Sequence, residues 1–287
     1  MTIKKTADAV KEQLKAAGIE SPLREARFLV ESLCKLHRGD IFLHGDMILT
    51  DEEQKRIDDA VQKRLGGFPL QYLAGIWEFY SCPFFVGEGV LIPRPETELL
   101  VDKALSSLQP IAQPVVADLC SGSGCVAVAI ARKRQDARLT AVEKSPEAFA
   151  YLERNVEYNK AGNVLPLLAD ALGPITKELT GTFDMIVCNP PYITTQEMKE
   201  LSVEVGFEPA MALDGLADGL HFYRELTPLW KPCLKPGGAI LYEIGFSQAK
   251  AVAEILEANG FEHVTVTTDL SGLDRVVAGW LPKEGLL

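Results

Sequence analysis

Asn189-Pro190-Pro191-Tyr192 ends the apolar segment Phe183 to Cys188. Its two prolines fix φ and remove two backbone donors, so the tetrapeptide offers carbonyl acceptors on a stiff ribbon. That arrangement suits a planar nitrogen nucleophile of the R–NH2 type, as in a carboxamide or the exocyclic amine of adenine. The Asn189 side-chain oxygen and the Pro190 carbonyl each accept one N–H, and Tyr192 stacks on the flat group. Asn189, Pro190 and Tyr192 are therefore the candidate catalytic residues, and Asn189, Pro190, Pro191 and Tyr192 the candidate substrate contacts. Neither His nor Lys stands beside the motif, so alignment rather than a strong base must supply much of the catalysis.

A second constellation precedes it. Asp118-Leu119-Cys120-Ser121-Gly122-Ser123-Gly124 follows an apolar strand and leads into the helix begun by Cys125. Glycines there bring backbone close to a ligand, and the helix offers unpaired amides. Glu143, 19 residues after Gly124 at the end of the next strand, is placed to accept from ribose hydroxyls. Gly122-Ser-Gly124-Cys-Val-Ala127 also satisfies the G-x-G-x-x-A form of nicotinamide enzymes. Asp118 discriminates between the two: a carboxylate there repels a pyrophosphate and suits the cationic amino-acid end of S-adenosylmethionine. Methyl transfer to nitrogen is the preferred reading, with protein and nucleic acid both open as acceptors at this point.

These residues need a scaffold, and the alternation after residue 114 provides one. Strands are expected at 115 to 119, 138 to 143, 164 to 169, 183 to 188, 239 to 244, 261 to 268 and 274 to 280, with helices at 124 to 134, 146 to 160 and 248 to 259. The pattern predicts an α/β, Rossmann-like fold: a mostly parallel sheet with helices on both faces and an antiparallel strand at or near one edge. Residues 202 to 220 read as a long loop. Before the sheet, spacing of three and four predicts helices through Val10 and Leu14, from Pro22 through Leu36, and from the capping box at Thr50 to Gly66. The expected organisation is a small N-terminal helical bundle (1–74), a β-hairpin linker (75–94) and a catalytic domain (95–287).

Composition narrows the classes. With 47% hydrophobic and 24% charged residues, the chain is globular rather than disordered. No apolar run approaches the roughly 18 residues that span a bilayer, and no signal peptide is visible, so a cytoplasmic protein with no membrane partner is expected. Six scattered cysteines and four distant histidines fit neither disulfides nor a metal site. The net charge of −11 splits into −1 for the first 80 residues and −10 for the rest, which argues against gripping naked nucleic acid. An adenine-N6 methyltransferase acting on nucleic acid remains the alternative, since Asn-Pro-Pro-Tyr fits a flipped base equally well. A non-enzymatic adaptor with a vestigial cofactor domain is a third reading.

Over most of its length the chain resembles the release factor glutamine methyltransferases, the PrmC/HemK family. The resemblance rests on Asn189-Pro-Pro-Tyr192, Pro69-Leu-Gln-Tyr-Leu-Ala-Gly75 with Phe79-Tyr80, Leu91-Ile-Pro-Arg-Pro-Glu-Thr-Glu98, Glu208-Pro209 with Ala212-Leu213, and Leu234-Lys-Pro-Gly-Gly238 through Glu243-Ile-Gly245. It implies a bundle that holds the substrate, and N5-methylation of the glutamine in the Gly-Gly-Gln loop of class-I peptide chain release factors. S-adenosylmethionine would be the donor, S-adenosylhomocysteine the product, with no metal and a monomeric enzyme. Cofactor contacts implied by matching positions are Cys120, Ser121, Gly122, Ser123, Gly124, Glu143, Asp170, Ala171 and Asn189, beside Asp118. Three positions depart from the family pattern: Cys120 replaces the first loop glycine, Glu143 the commoner aspartate, and Ala171 a bulky aromatic that would wall the adenine. The roles of Arg94 and Glu96, in the pocket or at a helix start, stay open.

Overall fold

Apolar stripes build the first helices of the structure, a computed structural model that describes residues 1–37 and 39–283. Helix α1 (Ile3–Ala16) buries Ile3, Ala7, Val10 and Leu14 along one face, the spacing that 3.6 residues per turn dictates. Helix α2 (Pro22–Leu33) starts on a proline, the short α3 (Asp40–Leu43) follows, and α4 (Asp51–Leu65) opens on the expected capping box. There the Thr50 hydroxyl accepts from the Glu53 N–H, and the Glu53 carboxylate accepts from the Thr50 N–H. Helix α5 (Leu70–Ala74) is a further single turn. Val10, Leu14, Ala26, Val30, Ile57 and Val61 form the common core.

Backbone packing separates two units, Met1–Trp77 with Ser202–Phe207, and Glu78–Leu201 with Glu208–Leu287. The first therefore includes six residues from far down the chain. Arg64 of α4 explains part of this: its guanidinium donates to both oxygens of Glu25, at 2.7 and 3.0 Å, and to Glu204 at 3.1 Å. The Phe207 ring packs edge-on against Phe68 at 5.2 Å.

Strands β1 (Ile76–Phe79) and β2 (Cys82–Phe85) pair as the predicted hairpin. The second unit continues with α6 (Glu98–Leu108), β3 (Val115–Leu119), α7 (Cys125–Lys133), β4 (Arg138–Glu143), α8 (Pro146–Tyr158), β5 (Val164–Leu168) and β6 (Phe183–Cys188). After these come α9 (His221–Trp230), β7 (Leu234–Glu243), α10 (Ala249–Ala258), β8 (Glu262–Thr268) and β9 (Asp274–Trp280). The sheet order is β5-β4-β3-β6-β7-β9-β8. All pairs from β5 to β7 are parallel, whereas β9 runs antiparallel to both β7 and β8, so the reversed strand lies one place in from the edge. This is the Rossmann-like architecture that the alternation predicts.

Strand residues alternate between two cores, because successive side chains point to opposite faces. Val116, Met185, Val187, Ala239 and Leu241 pack with α6 and α7 residues such as Leu100, Leu108 and Ile130. Ala117, Leu119, Ile186, Ile240 and Tyr242 pack with Tyr223, Leu226 and Trp230 of α9 and Val252 and Leu256 of α10. Helix α9 is absent from the sequence-based pattern, interrupted as it is by Pro228. Among the described residues no helix is long and apolar enough to cross a membrane.

Candidate active site

Strand order decides where a ligand can sit. From β3 the chain goes to β4 on one side, while β6 lies on the other, and a crevice opens beyond the strand ends where the winding reverses. The glycine loop leaves the end of β3, and Asn-Pro-Pro-Tyr leaves the end of β6. A narrow cavity of about 70 Å³ lies there, lined by Asp118, Cys120, Ser121, Gly122, Ser123, Glu143, Asn189 and Pro191. Arg94, Thr97, Ser145 and Met211 also face it.

The loop holds an unusual backbone. Cys120, Gly122 and Gly124 take φ of +56°, +56° and +80°. For Cys120 the left-handed conformation costs about 1–2 kcal/mol, a cost that a glycine at this position would avoid. A side chain on Gly124 would meet Leu152 Cδ1 at 2.4 Å, whereas the same position on Gly122 faces open space. Gly124 thus lets α7 pack on α8, and Gly122 leaves room for a ligand.

Two carboxylates pin this loop. Asp118, 2% exposed, accepts through one oxygen from Ser121 Oγ at 2.5 Å and from the Ala127 N–H at 3.1 Å. Burial pushes its carboxyl up to about 7, against the pull of those two hydrogen bonds. Glu143 accepts from the Gly122, Lys144 and Ser145 N–H groups at 2.8, 2.8 and 2.7 Å. Oε1 accepts from both Lys144 and Ser145, while Oε2 accepts from Gly122 alone and keeps a lone pair for a further donor.

Gly124, Pro190, Tyr192, Asp170 and Ala171 do not line the cavity. Asp170 is ion-paired with Lys144 at 2.7 Å. Ala171 is buried in the second core, where its carbonyl accepts from the Trp230 indole at 2.8 Å. Pro190 is buried, and burial raises the Tyr192 phenol well above its ordinary value.

Several residues that hold the motif escaped sequence reasoning. The Asn189 amide nitrogen donates to Thr97 Oγ1 at 3.4 Å. Gln248 Nε2 donates to the Tyr192 and Gly219 carbonyls at 3.0 and 3.2 Å, while its Oε1 accepts from the Gly245 N–H at 2.9 Å. Past Tyr192 the chain forms a short parallel bridge: Ile193 N–H donates to Leu213 and Gly215 N–H to Ile193, at 3.0 and 2.7 Å. Gly215 and Gly219 press directly on the backbone of Pro191 and Tyr192. Glu208, 5% exposed, pairs with Arg94 and accepts from the Ile92 N–H, so Arg94 both lines the cavity and is fixed by a buried carboxylate. Thr97, Arg94 and Glu208 stand inside segments that carry the family resemblance, whereas Gln248, Gly215 and Gly219 stand outside them and carry no signal in the sequence.

A family model described as PrmC N-terminal domain matches residues 8–75, and one described as methyltransferase small domain matches residues 96–212. The chain is 38% identical to the release factor glutamine methyltransferase of Salmonella typhimurium over 264 residues, 91% of this chain and 92% of that one. It is also 38% identical to the release factor glutamine methyltransferase of Koribacter versatilis over 285 residues, 99% of this chain and all of the relative. Among solved structures, the hMettl16 catalytic domain in complex with MAT2A 3'UTR hairpin 6 superposes with a TM-score of 0.58. That match covers 83% of this chain and 84% of the other at 16% identity, a likeness of fold alone.

Proposed function

The chain belongs to the release factor glutamine methyltransferase family, and on that premise we propose that it methylates the side-chain nitrogen of the Gly-Gly-Gln glutamine in class-I peptide chain release factors. The observation that carries this reading is one crevice lined at once by the glycine loop, Glu143, Asn189 and Pro191. S-adenosylmethionine, when bound, supplies a methyl group on a positively charged sulfonium. The residues present fit that donor: Asp118 and Glu143 put two carboxyl groups on the cavity wall, and Gly122 leaves open space beside them. Cys120 to Ser123 would hold it through the loop, Glu143 through the ribose hydroxyls, and Asp118 toward the cationic amino-acid end.

Asn189 Oδ1, on the cavity wall, and the carbonyl of Pro190, which lies between the wall residues Asn189 and Pro191, would accept the two N–H groups of the substrate carboxamide. Accepting both fixes the plane of the amide, draws electron density onto its nitrogen and prepares one proton to leave as the N–C bond forms. Tyr192, held through its carbonyl by Gln248, packs against the flat amide. The helical unit engages the protein substrate, and the acidity carried by the rest of the chain suits a basic partner loop better than a phosphate backbone.

Incubating the full chain with isotopically labelled S-adenosylmethionine and an unmethylated class-I release factor should add one methyl to the Gly-Gly-Gln peptide, read by mass spectrometry. Transfer to DNA or RNA but not to the release factor would overturn the proposal in favour of the adenine-N6 alternative.

A further inference from the structure

The end of β7 carries a carboxylate that the mechanism above does not use. Glu243 is 2% exposed, and its Oε2 has no hydrogen-bond partner among the described residues. Cys188 of β6 is in register with Tyr242 of β7, so the next residue on each parallel strand, Asn189 and Glu243, stand side by side. The Thr97 hydroxyl and the Asn189 amide both face the carboxylate. The Asn189 nitrogen in turn donates to Thr97 Oγ1.

An asparagine amide has a donor side and an acceptor side, and whichever faces inward leaves the other for the substrate. An ionised carboxylate only accepts, and a Thr97 hydroxyl that donates to it offers just its oxygen to Asn189. The inner wall of the site then consists of acceptors alone. We propose that Glu243 is a positioning residue: its carboxylate, directly and through Thr97, holds the Asn189 amide nitrogen inward and so turns Oδ1 toward the substrate N–H. This rests on the proposed amide methylation. A protonated Glu243, or a glutamine there, carries a donor that Asn189 Oδ1 can take. The amide then turns and meets the substrate N–H groups with N–H groups of its own.

Burial pushes the Glu243 carboxyl up to about 7, helped by Glu96 and opposed by Thr97, Arg275 and Asn189. Cys125, Cys188, Tyr192 and Tyr223 also sense its charge. The orienting state is the ionised one, so kcat should rise as pH increases through about 7.

The test uses the full chain with S-adenosylmethionine and an unmethylated class-I release factor. Glu243→Gln should lower kcat at pH 8 by at least about tenfold, toward the ~10²-fold that misplacing a reacting group costs. KM for the release factor and donor affinity should stay within about twofold, and the rise of kcat near pH 7 should vanish. Thr97→Val should behave alike and Thr97→Ser should restore activity, a comparison that stands even if Glu243→Gln fails to fold. Independently of turnover, the Asn189 side-chain amide resonances in a 15N-labelled sample should shift with a midpoint near pH 7 in the wild type and not in Glu243→Gln. Unchanged kcat with the same pH profile, or amide resonances indifferent to Glu243, would overturn the inference. A wild-type chain inactive on release factors, with the resonances still coupled to Glu243, would instead refute the proposed function.

Discussion

Gly215→Ala is a sharp test of how the Asn-Pro-Pro-Tyr ribbon is held. Gly215 is buried and its φ is not positive, so alanine carries no backbone penalty and the effect is purely steric. Its Cβ would stand 2.7 Å from Tyr192 Cα, 2.9 Å from Gly219 Cα and 2.9 Å from the Pro191 carbonyl oxygen. All three are backbone atoms, so no rotamer change relieves them. Ordinary contact begins at 3.4 Å, and the motif must therefore move by about 0.7 Å. Overpacking of this kind costs about 1–3 kcal/mol, less the ~0.4–1 kcal/mol that alanine regains by stiffening the unfolded chain. The protein stays folded at typical stabilities of ~5–15 kcal/mol. Displacing a substrate contact by nearly 1 Å costs ~10²-fold in rate, or about 2.7 kcal/mol of barrier. Single-turnover transfer and urea unfolding measure the two effects separately. Gly162→Ala, with nothing within 4 Å of the new Cβ, is the control and should be neutral or slightly stabilising. If Gly215→Ala methylates within twofold of the wild type, the close approach of this loop is not what fixes the motif.

Three further outcomes follow from the site and its supports. Asn189→Ala should lower kcat by about 10²-fold, the scale for losing one preorganised polar contact, with donor affinity by equilibrium dialysis changed less than about threefold; full turnover would contradict the orienting role. Burial raises the Asp118 carboxyl to about 7, above the ~3.9 of an unfolded chain. The folded state thus binds this proton more tightly, and the stability it contributes is present below pH ~4 and lost as pH rises through about 7. Asp118→Asn should flatten that fall in urea titrations at successive pH values, leaving the part due to Glu243; an unchanged slope would refute the assignment. Arg64→Ala strips Glu25 of a mostly buried guanidinium and should cost about 3 kcal/mol. Faster hydrogen exchange at the Val205 amide should accompany it, and unaltered exchange would show that Arg64 does not hold Ser202–Phe207.

Much of this was legible before any coordinates. The glycine loop, Glu143 and Asn189 could be read because each stands at the end of an alternating apolar strand, and the end of a parallel strand is where an open sheet keeps its ligands. Helix α9 was hidden by Pro228 and Pro232, although Tyr223, Leu226 and Trp230 repeat at helical spacing and all are fully buried. Glu243 and Thr97 were illegible for another reason. Only strand register and the turn into α6 bring them to Asn189, over 54 and 92 residues of sequence, and nothing local in a run such as Leu-Tyr-Glu-Ile-Gly announces a buried carboxylate. Gly215 and Gly219 read as ordinary loop punctuation, because close approach of one backbone to another is a tertiary fact. Ser202–Phe207 looked like connecting chain for the same reason: its partners Arg64 and Phe68 lie some 140 residues earlier.

That last pairing bears on how the protein is made. Helices α1 to α5 leave the ribosome first, and local spacing lets them begin to pack at once. Yet their unit is finished only when Ser202–Phe207 has been synthesised, after β3 to β6 and the Asn-Pro-Pro-Tyr segment. Until then Arg64 lacks Glu204 and Phe68 lacks Phe207. At translation rates of about 5–20 residues per second, the nascent helices wait on the order of ten seconds for their last piece. A chain released or nicked before Ser202 carries an incomplete helical unit together with a β6 that has no β7 to pair with. Such fragments are candidates for degradation rather than for independent use.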